Sequence, residues 1–172
     1  MPAHPVPPPA AVLPCVHFVG AESTGKTTLC RYVRDKYGLK MLGETARTVA
    51  SEQETDFGRI RSSGETSNRY QADVYARQIQ LELDTPAPYV SDRGPDNLAY
   101  ASEYARNFVE LYSSIPDEYV TRLQRSVVFL VRPNAETFSA GLADPVRAKM
   151  KWDGLQRIAG AVGIGVHQCA PP

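Results

Sequence analysis

The feature that most restricts this chain is the run Gly20-Ala21-Glu22-Ser23-Thr24-Gly25-Lys26-Thr27, followed by Thr28. Before it stands a short apolar stretch, Cys15-Val16-His17-Phe18-Val19, which reads as a buried parallel strand. After it, about Lys26 to Lys36 reads as a helix, with Leu29 and Val33 spaced by four. A strand, a glycine-rich turn and a helix in that order make a cradle for concentrated negative charge. Glycines at 20 and 25 let backbone N–H groups turn inward, and the helix presents its positive end. Lys26 adds a movable ammonium for the outer phosphates, and the Thr27 hydroxyl is suited to ligate magnesium. The run from Gly20 to Thr28 therefore predicts a phosphate-binding P-loop for a nucleoside triphosphate, ATP, with Mg2+.

The rest of the chain alternates strand and helix signals. Leu39 to Leu42 reads as a second strand. Residues 51 to 65, polar and rich in Gly and Ser, read as a mobile loop. Ser67 to Leu83 reads as a helix, with Tyr75, Ile79 and Leu83 on one stripe beside Tyr70, Val74 and Leu81. Pro86 and Pro88 interrupt the chain, and Tyr89-Val90-Ser91 forms a short strand leading to Asp92. Helices at 95–106 and 116–124 would each open with proline at the first position. Ser126 to Val131 is the clearest strand, a helix follows from Asp144-Pro145 to about Ala161, and Gly163 to Val166 suits a last strand. The expected architecture is α/β: a parallel sheet of about five strands with flanking helices, the P-loop nucleoside triphosphate hydrolase fold in a nucleotide-kinase-like form. Residues 1–14, with six prolines, read as an extended leader or a proline-rich ligand segment, and 15–172 as the catalytic domain with a lid-like segment at about 135–152.

Composition removes other classes. Nineteen basic and nineteen acidic residues balance to zero net charge, which argues against bulk electrostatic binding of nucleic acid. The cysteines Cys15, Cys30 and Cys169 have no CxxC spacing, so neither a disulfide framework nor a zinc site is expected. With no secretory signal and no apolar run long enough for a bilayer, the expected setting is cytoplasmic, with no membrane partner.

Several further residues carry candidate chemistry. Asp92 closes a strand, where open α/β sheets place their ligands. It can hold magnesium, accept a proton from an acceptor hydroxyl, or cap the helix near Pro95. Glu44 follows the second strand and opens Glu44-Thr45-Ala46-Arg47, placed to orient or activate a hydroxyl. Arg47, one turn on, can pair with Glu44 or reach a phosphate. Arg147, Lys149 and Lys151 lie where a lid would bring cations over a transferring phosphate. Arg59, Arg61, Arg69, Arg77, Gln71 and Gln78 offer polar contacts to a base or acceptor, or form the polar side of an amphipathic helix.

Taken together, GAESTGKTTL, ETAR and SDRGPDNLAYA resemble the small P-loop kinases related to the nicotinamide riboside kinase domain of bacterial NAD-repressor proteins, within the nucleoside and nucleotide kinase group. The resemblance spans roughly residues 15 to 167. It implies an ATP-dependent kinase acting on a hydroxyl of a nucleoside or nucleotide, with Glu44 and Arg47 by the acceptor, Asp92 by magnesium and Arg93 near the transferred phosphate. The lid here reads SAGLADPVRAK, without an Asp-Gly pair before its arginine. A related viral kinase acts on 5-hydroxymethyluracil within DNA, and Arg59, Arg61 and Arg69 would then meet the phosphate backbone. A nucleotide-dependent switch or NTPase is the rival from another class.

Overall fold

The computed structural model describes residues 14–54, 56–62, 64–133 and 145–169. The leader through residue 13 and the lid-like stretch through residue 144 lie outside the described residues. Five strands, β1 (Val16–Val19), β2 (Lys40–Leu42), β3 (Tyr89–Asp92), β4 (Val127–Val131) and β5 (Val166–Cys169), form one parallel sheet in the order β2-β3-β1-β4-β5.

Alternation along β1 divides the core. Phe18 packs on one face with Cys30 of α1 (Lys26–Tyr37), Leu39, Val90 and Val131. Val19 points the other way, into a larger cluster with Tyr75 and Ile79 of α4 (Gly64–Asp84), Leu98 of α5 (Asp96–Tyr104), Leu123 of α7 (Asp117–Gln124), and Leu155 and Ile158 of α8 (Pro145–Val162). Both faces of the sheet are therefore covered, as a parallel sheet requires. The register sets Phe18 beside Asp92, so the chain leaves β1 for the P-loop and β3 for the Asp92 turn at the same sheet edge.

Four readings of local structure are corrected. Residues 51–65 are largely helical: α2 (Thr45–Glu52) runs into them and α3 (Phe57–Ser62) follows. Asp56 caps α3 by accepting from the Arg59 N–H at 2.9 Å, and its one large aliphatic, Ile60, is buried against Val49, Tyr70 and Val74. That one anchor, invisible among polar neighbours, outweighs the loop-like composition. A short helix, α6 (Phe108–Ser113), follows α5. Pro95 and Pro116 stand one residue ahead of their helices, at the cap position. The last strand begins at Val166, because Gly163 takes a left-handed φ of 70° and Ile164 donates back to the Ala159 carbonyl to end α8. Leu81, placed beside the apolar stripe of α4, is exposed.

Polar side chains also fill part of the interior. His17 on β1 meets Glu82 of α4 at 2.8 Å, and Gln78 donates to Glu82 at 2.6 Å and to Ser91 at 3.1 Å. Thr45 donates to the Gln78 carbonyl at 2.7 Å, and Tyr89 donates to Glu82 at 3.1 Å. Apart from His17 Nδ1, which has no hydrogen-bond partner among the described residues, this network pairs its polar groups and ties α2 and α4 to β1 and β3. Gln78 is consequently a structural residue turned inward, and not the base-reading or acceptor-holding side chain its helix position suggested. All three cysteines are free. Among the described residues, no helix is long and apolar enough to cross a membrane.

Candidate functional site

The P-loop takes its shape from backbone positions that reject ordinary side chains. Gly20 has a φ of 133°, and a Cβ there would meet the Val131 carbonyl oxygen at 2.6 Å. Gly25, with a φ of 87°, caps α1 in the left-handed region and so aims the helix N-terminus at the loop interior. Lys26, buried at 5 % exposure, curls back to donate to the Ala21 carbonyl, with Thr24 Oγ1 at 3.4 Å. Burial, with Arg93 nearby, lowers its pKa from 10.5 to about 8. The carboxylates of Asp96, Asp92 and Glu44 partly offset this. Lys26 is thus a cation held short of partners in a place shaped for anions.

At the head of α1 the Thr27 hydroxyl donates to Asp92 Oδ2 at 2.5 Å. Burial raises the Asp92 pKa, against the opposing pull of Thr27, Arg93 and Lys26. Asp96, the first residue of α5, accepts instead from the Gly94 N–H at 3.0 Å and the Gly20 N–H at 3.3 Å, and no described side chain caps the helix. The reading of Asp92 as its cap is set aside: the Asp92 oxygen faces the P-loop threonine.

Arg93 is the hub of the site. It adopts a φ of 112°, rare for a side-chain-bearing residue and a strained conformation of the kind that collects at functional sites. Its guanidinium donates to Glu44 Oε1 at 2.9 Å, the Tyr100 hydroxyl at 2.7 Å, and the Gly20 carbonyl and Asp96 at 3.3 Å. It also lies 4.7 Å from the Tyr100 ring centre. Burial opposes its charge, but Tyr100, Asp96 and Glu44 outweigh burial and hold it cationic. Glu44 is gripped on both oxygens, by Arg93 and by the Arg47 guanidinium at 2.8 Å. Although burial pushes its pKa up, those cations hold it below the usual carboxylate value. Arg47 is otherwise exposed, 79 % of its side chain facing solvent.

Tyr100 also meets Lys151 of α8, whose ammonium lies 4.0 Å from the ring centre and donates to both Glu22 oxygens at 2.7 and 2.6 Å. Lys151 therefore ties α8 to the P-loop. Lys149 is engaged by Asp153 at the surface, and the Arg147 side chain lies outside the described residues. Arg77 pairs with Glu52 away from the site, and Arg59 and Arg69 are exposed. The Arg61 side chain lies outside the described residues.

Glu22 to Thr27, Glu44, Arg47, Asp92, Arg93 and Tyr100 line one cleft of about 280 Å³. Ser23 to Thr27 and Asp92 form the phosphate end, and Ala46, Ile60, Tyr70 and Val74, packed together, form an apolar part; Gln71, Asn97, Tyr100 and the Glu44–Arg93 pair complete the lining. Asp96, Asn97 and Tyr100 carry no role in the sequence reading, although the motif containing them was recognised. Their signal was the DRGPDN turn, which sets a helix start against the P-loop.

A family model described as an AAA domain matches residues 15–158. The fold matches the NadR protein in complex with NR at a TM-score of 0.69 and 18 % identity, over 91 % of this chain and 45 % of that one. It matches NadR in complex with NAD and AMP-PNP at 0.69 and 17 %, over 91 % and 44 %. The chain thus spans about half the length of the NadR chains it matches. The YorR protein of Bacillus subtilis, in complex with phosphorylated GDP, matches at 0.52 and 8 %, over 91 % and 85 %. No curated protein matches the chain. The likeness to these structures is one of fold, and it agrees with the kinase resemblance carried by the three motifs. With the P-loop geometry and a family model running from the first strand into the last helix, the chain belongs to the AAA domain family of P-loop proteins.

Proposed function

We propose that the protein is an ATP-dependent kinase that phosphorylates a hydroxyl of a nucleoside-type small molecule. The observation that carries this reading is the two-ended cleft: a phosphate cradle at one end, a partly apolar compartment at the other, and the Glu44–Arg93 pair where they meet. A switch that only hydrolyses its nucleotide needs no such second compartment. The NadR complexes with NR and with AMP-PNP, and the YorR complex with a phosphorylated nucleotide, support a nucleoside-type acceptor and an ATP-like donor.

The residues present fit both ATP and magnesium. Lys26, lowered to about pKa 8 in the absence of anions, and the amides of Ser23 to Thr27 would hold the phosphates. Thr27 and Asp92 place two hard oxygen ligands side by side, the donor type magnesium prefers, and would hold the metal. When bound, magnesium neutralises charge on the phosphate oxygens. Arg93, fixed on four sides, supplies a permanent positive charge at the junction of the two ends without reorganisation. Glu44, kept ionised by two arginines, is a weak base, so its role is to orient the acceptor hydroxyl by accepting its hydrogen bond. Asp92, beside Thr27, would serve the magnesium and not take the proton. Phosphoryl transfer asks more for positioning than for a strong base, which suits this division.

The test is a transfer screen with labelled ATP against free nucleosides, nucleotides and duplex DNA containing 5-hydroxymethyluracil, at low and high salt. The expected result is acceptor-dependent transfer to a free nucleoside with weak salt dependence, since the chain carries no net charge. Hydrolysis at a rate indifferent to every acceptor would overturn the proposal. Transfer to the duplex alone, falling steeply with salt, would move the acceptor into DNA and assign Arg59 and Arg69 to its backbone.

A further inference from the structure

The far end of the cleft contains a polar group that the fold itself leaves unused. Asn97, in the first turn of α5, lines the cleft and is 6 % exposed, yet its Nδ2 is buried with no hydrogen-bond partner. Its backbone is fixed, donating to the Gly94 carbonyl at 3.1 Å, so the side chain is presented from a rigid turn. A buried amide without partners costs stability, and native structures keep such groups where a ligand completes them. A second carboxamide, Gln71 of α4, lines the same compartment and makes no hydrogen bond to a described residue. The same lining includes Ala46, Ile60 and Val74, an apolar wall suited to a planar ring. Asn97 lies on the helix that follows Arg93, in the lining of that cleft.

We propose that Asn97 determines the specificity of the second substrate, by pairing its carboxamide with an amide-like edge, C=O beside N–H, of a planar heterocycle resting on that wall. A carboxamide offers one donor and one acceptor side by side. The matching ligand edge is therefore a lactam, whose C=O accepts from Asn97 Nδ2 and whose N–H donates to Asn97 Oδ1. Gln71 supports the same ring from the opposite helix. This rests on reading the far end as the acceptor compartment, so recognition is measured both with and without transfer.

The experiment compares the full-length protein with Asn97→Leu and Asn97→Ser against two riboside pairs. Uridine and inosine carry the lactam edge; pyrimidin-2-one riboside and purine riboside have the same rings without it. Binding is titrated directly, KM and kcat are measured with ATP as donor, and ATP affinity is measured separately. The expected result is a KM and Kd for uridine or inosine raised about tenfold or more in both variants, with ATP affinity unchanged and the lactam-free ribosides affected equally little. Asn97→Leu should also keep or raise the unfolding temperature, because it removes a buried amide that has no partner; if it does not fold, Asn97→Ser carries the comparison. Selective loss of lactam binding without any transfer would support the Asn97 assignment while refuting the kinase. Equal effects on both members of each pair, or failure of all four ribosides to bind the wild type, would overturn the assignment.

Discussion

Replacing Lys26 with Met should stabilise the nucleotide-free protein while removing its ability to hold a triphosphate. Burial with a neighbouring arginine lowers the Lys26 pKa from 10.5 to about 8, a penalty on the order of 3 kcal/mol on keeping it charged at pH 7. Methionine has similar length and no charge, so that penalty disappears. The hydrogen bonds to the Ala21 carbonyl and Thr24 are lost with it, at roughly 1 kcal/mol each. The net expectation is a gain of about 1 kcal/mol, or ~2–4 °C in a chain of this size. The sign in pH follows from linkage. Between pH 8 and 10.5 the unfolded chain holds the Lys26 proton and the folded one does not, so wild-type stability should rise with pH across that window relative to the variant. Below pH 8 both states are protonated and the difference is flat.

The assay is denaturant unfolding of both proteins without nucleotide at several pH values from 6.5 to 10. Subtracting one curve from the other removes the tyrosines and cysteines that titrate in the same range. Nucleotide binding supplies a second reading. Phosphates engage the protonated ammonium, so wild-type affinity should weaken above pH 8, approaching tenfold per pH unit. A variant less stable than wild type at pH 7, or a stability difference that does not change between pH 8 and 10, would refute the picture of Lys26 as a desolvated cation awaiting anions.

Three other outcomes are expected. Asp92→Asn keeps an acceptor for the Thr27 hydroxyl but removes the charge a metal requires; magnesium for half-maximal rate should rise about tenfold or more, with unfolding shifted by less than about 1 kcal/mol, as magnesium titrations and melts will check. Gln78→Leu strands Thr45, Glu82 and Ser91 in the interior, so it should cost about 3 kcal/mol or more of stability, read by denaturant unfolding, while acceptor preference at low temperature stays unchanged. Lys151→Met releases the Glu22 carboxylate, which Lys151 holds at a lowered pKa against the upward push of burial; Lys151 is buried but Glu22 is partly exposed and can turn to solvent, so the loss should cost only ~1 kcal/mol, with faster amide hydrogen exchange in the first turns of α8.

What the sequence made legible, and what it hid, divides along the range over which each residue acts. Gly20, Gly25, Lys26 and Thr27 act on backbone and ligand within a few residues of one another, so their spacing alone announces the cradle. Asp92 was readable because it ends an apolar strand, and the parallel register then carries it to Thr27. Ile60, by contrast, makes its helix only by reaching Tyr70 and Val74, and no local pattern reports that contact. Gln78 and Gln71 sit on one helix, seven residues apart; the first is consumed by Glu82 and Ser91, the second is left facing the cleft, and only the sheet beneath them decides which is which. Asp96, Asn97 and Tyr100 show the same limit within a single turn of chain. Asp96 braces the P-loop at Gly20, Tyr100 carries the Arg93 and Lys151 cations near its ring, and Asn97 lines the cleft. In a helix starting at Asp96, Asp96 and Tyr100 are four residues apart and share the face that meets Arg93, while Asn97 is turned to a different face, so one short motif supplies both a brace with its charge platform and a separate group in the cleft lining. Glu44 and Arg47 of the neighbouring motif join them through Arg93. The nucleotide end is thus built by local sequence and the acceptor end by tertiary contact. Under the kinase reading proposed above, the P-loop would identify the donor from a short run, whereas acceptor identity would depend on residues from α2 to α5 that must first be brought together.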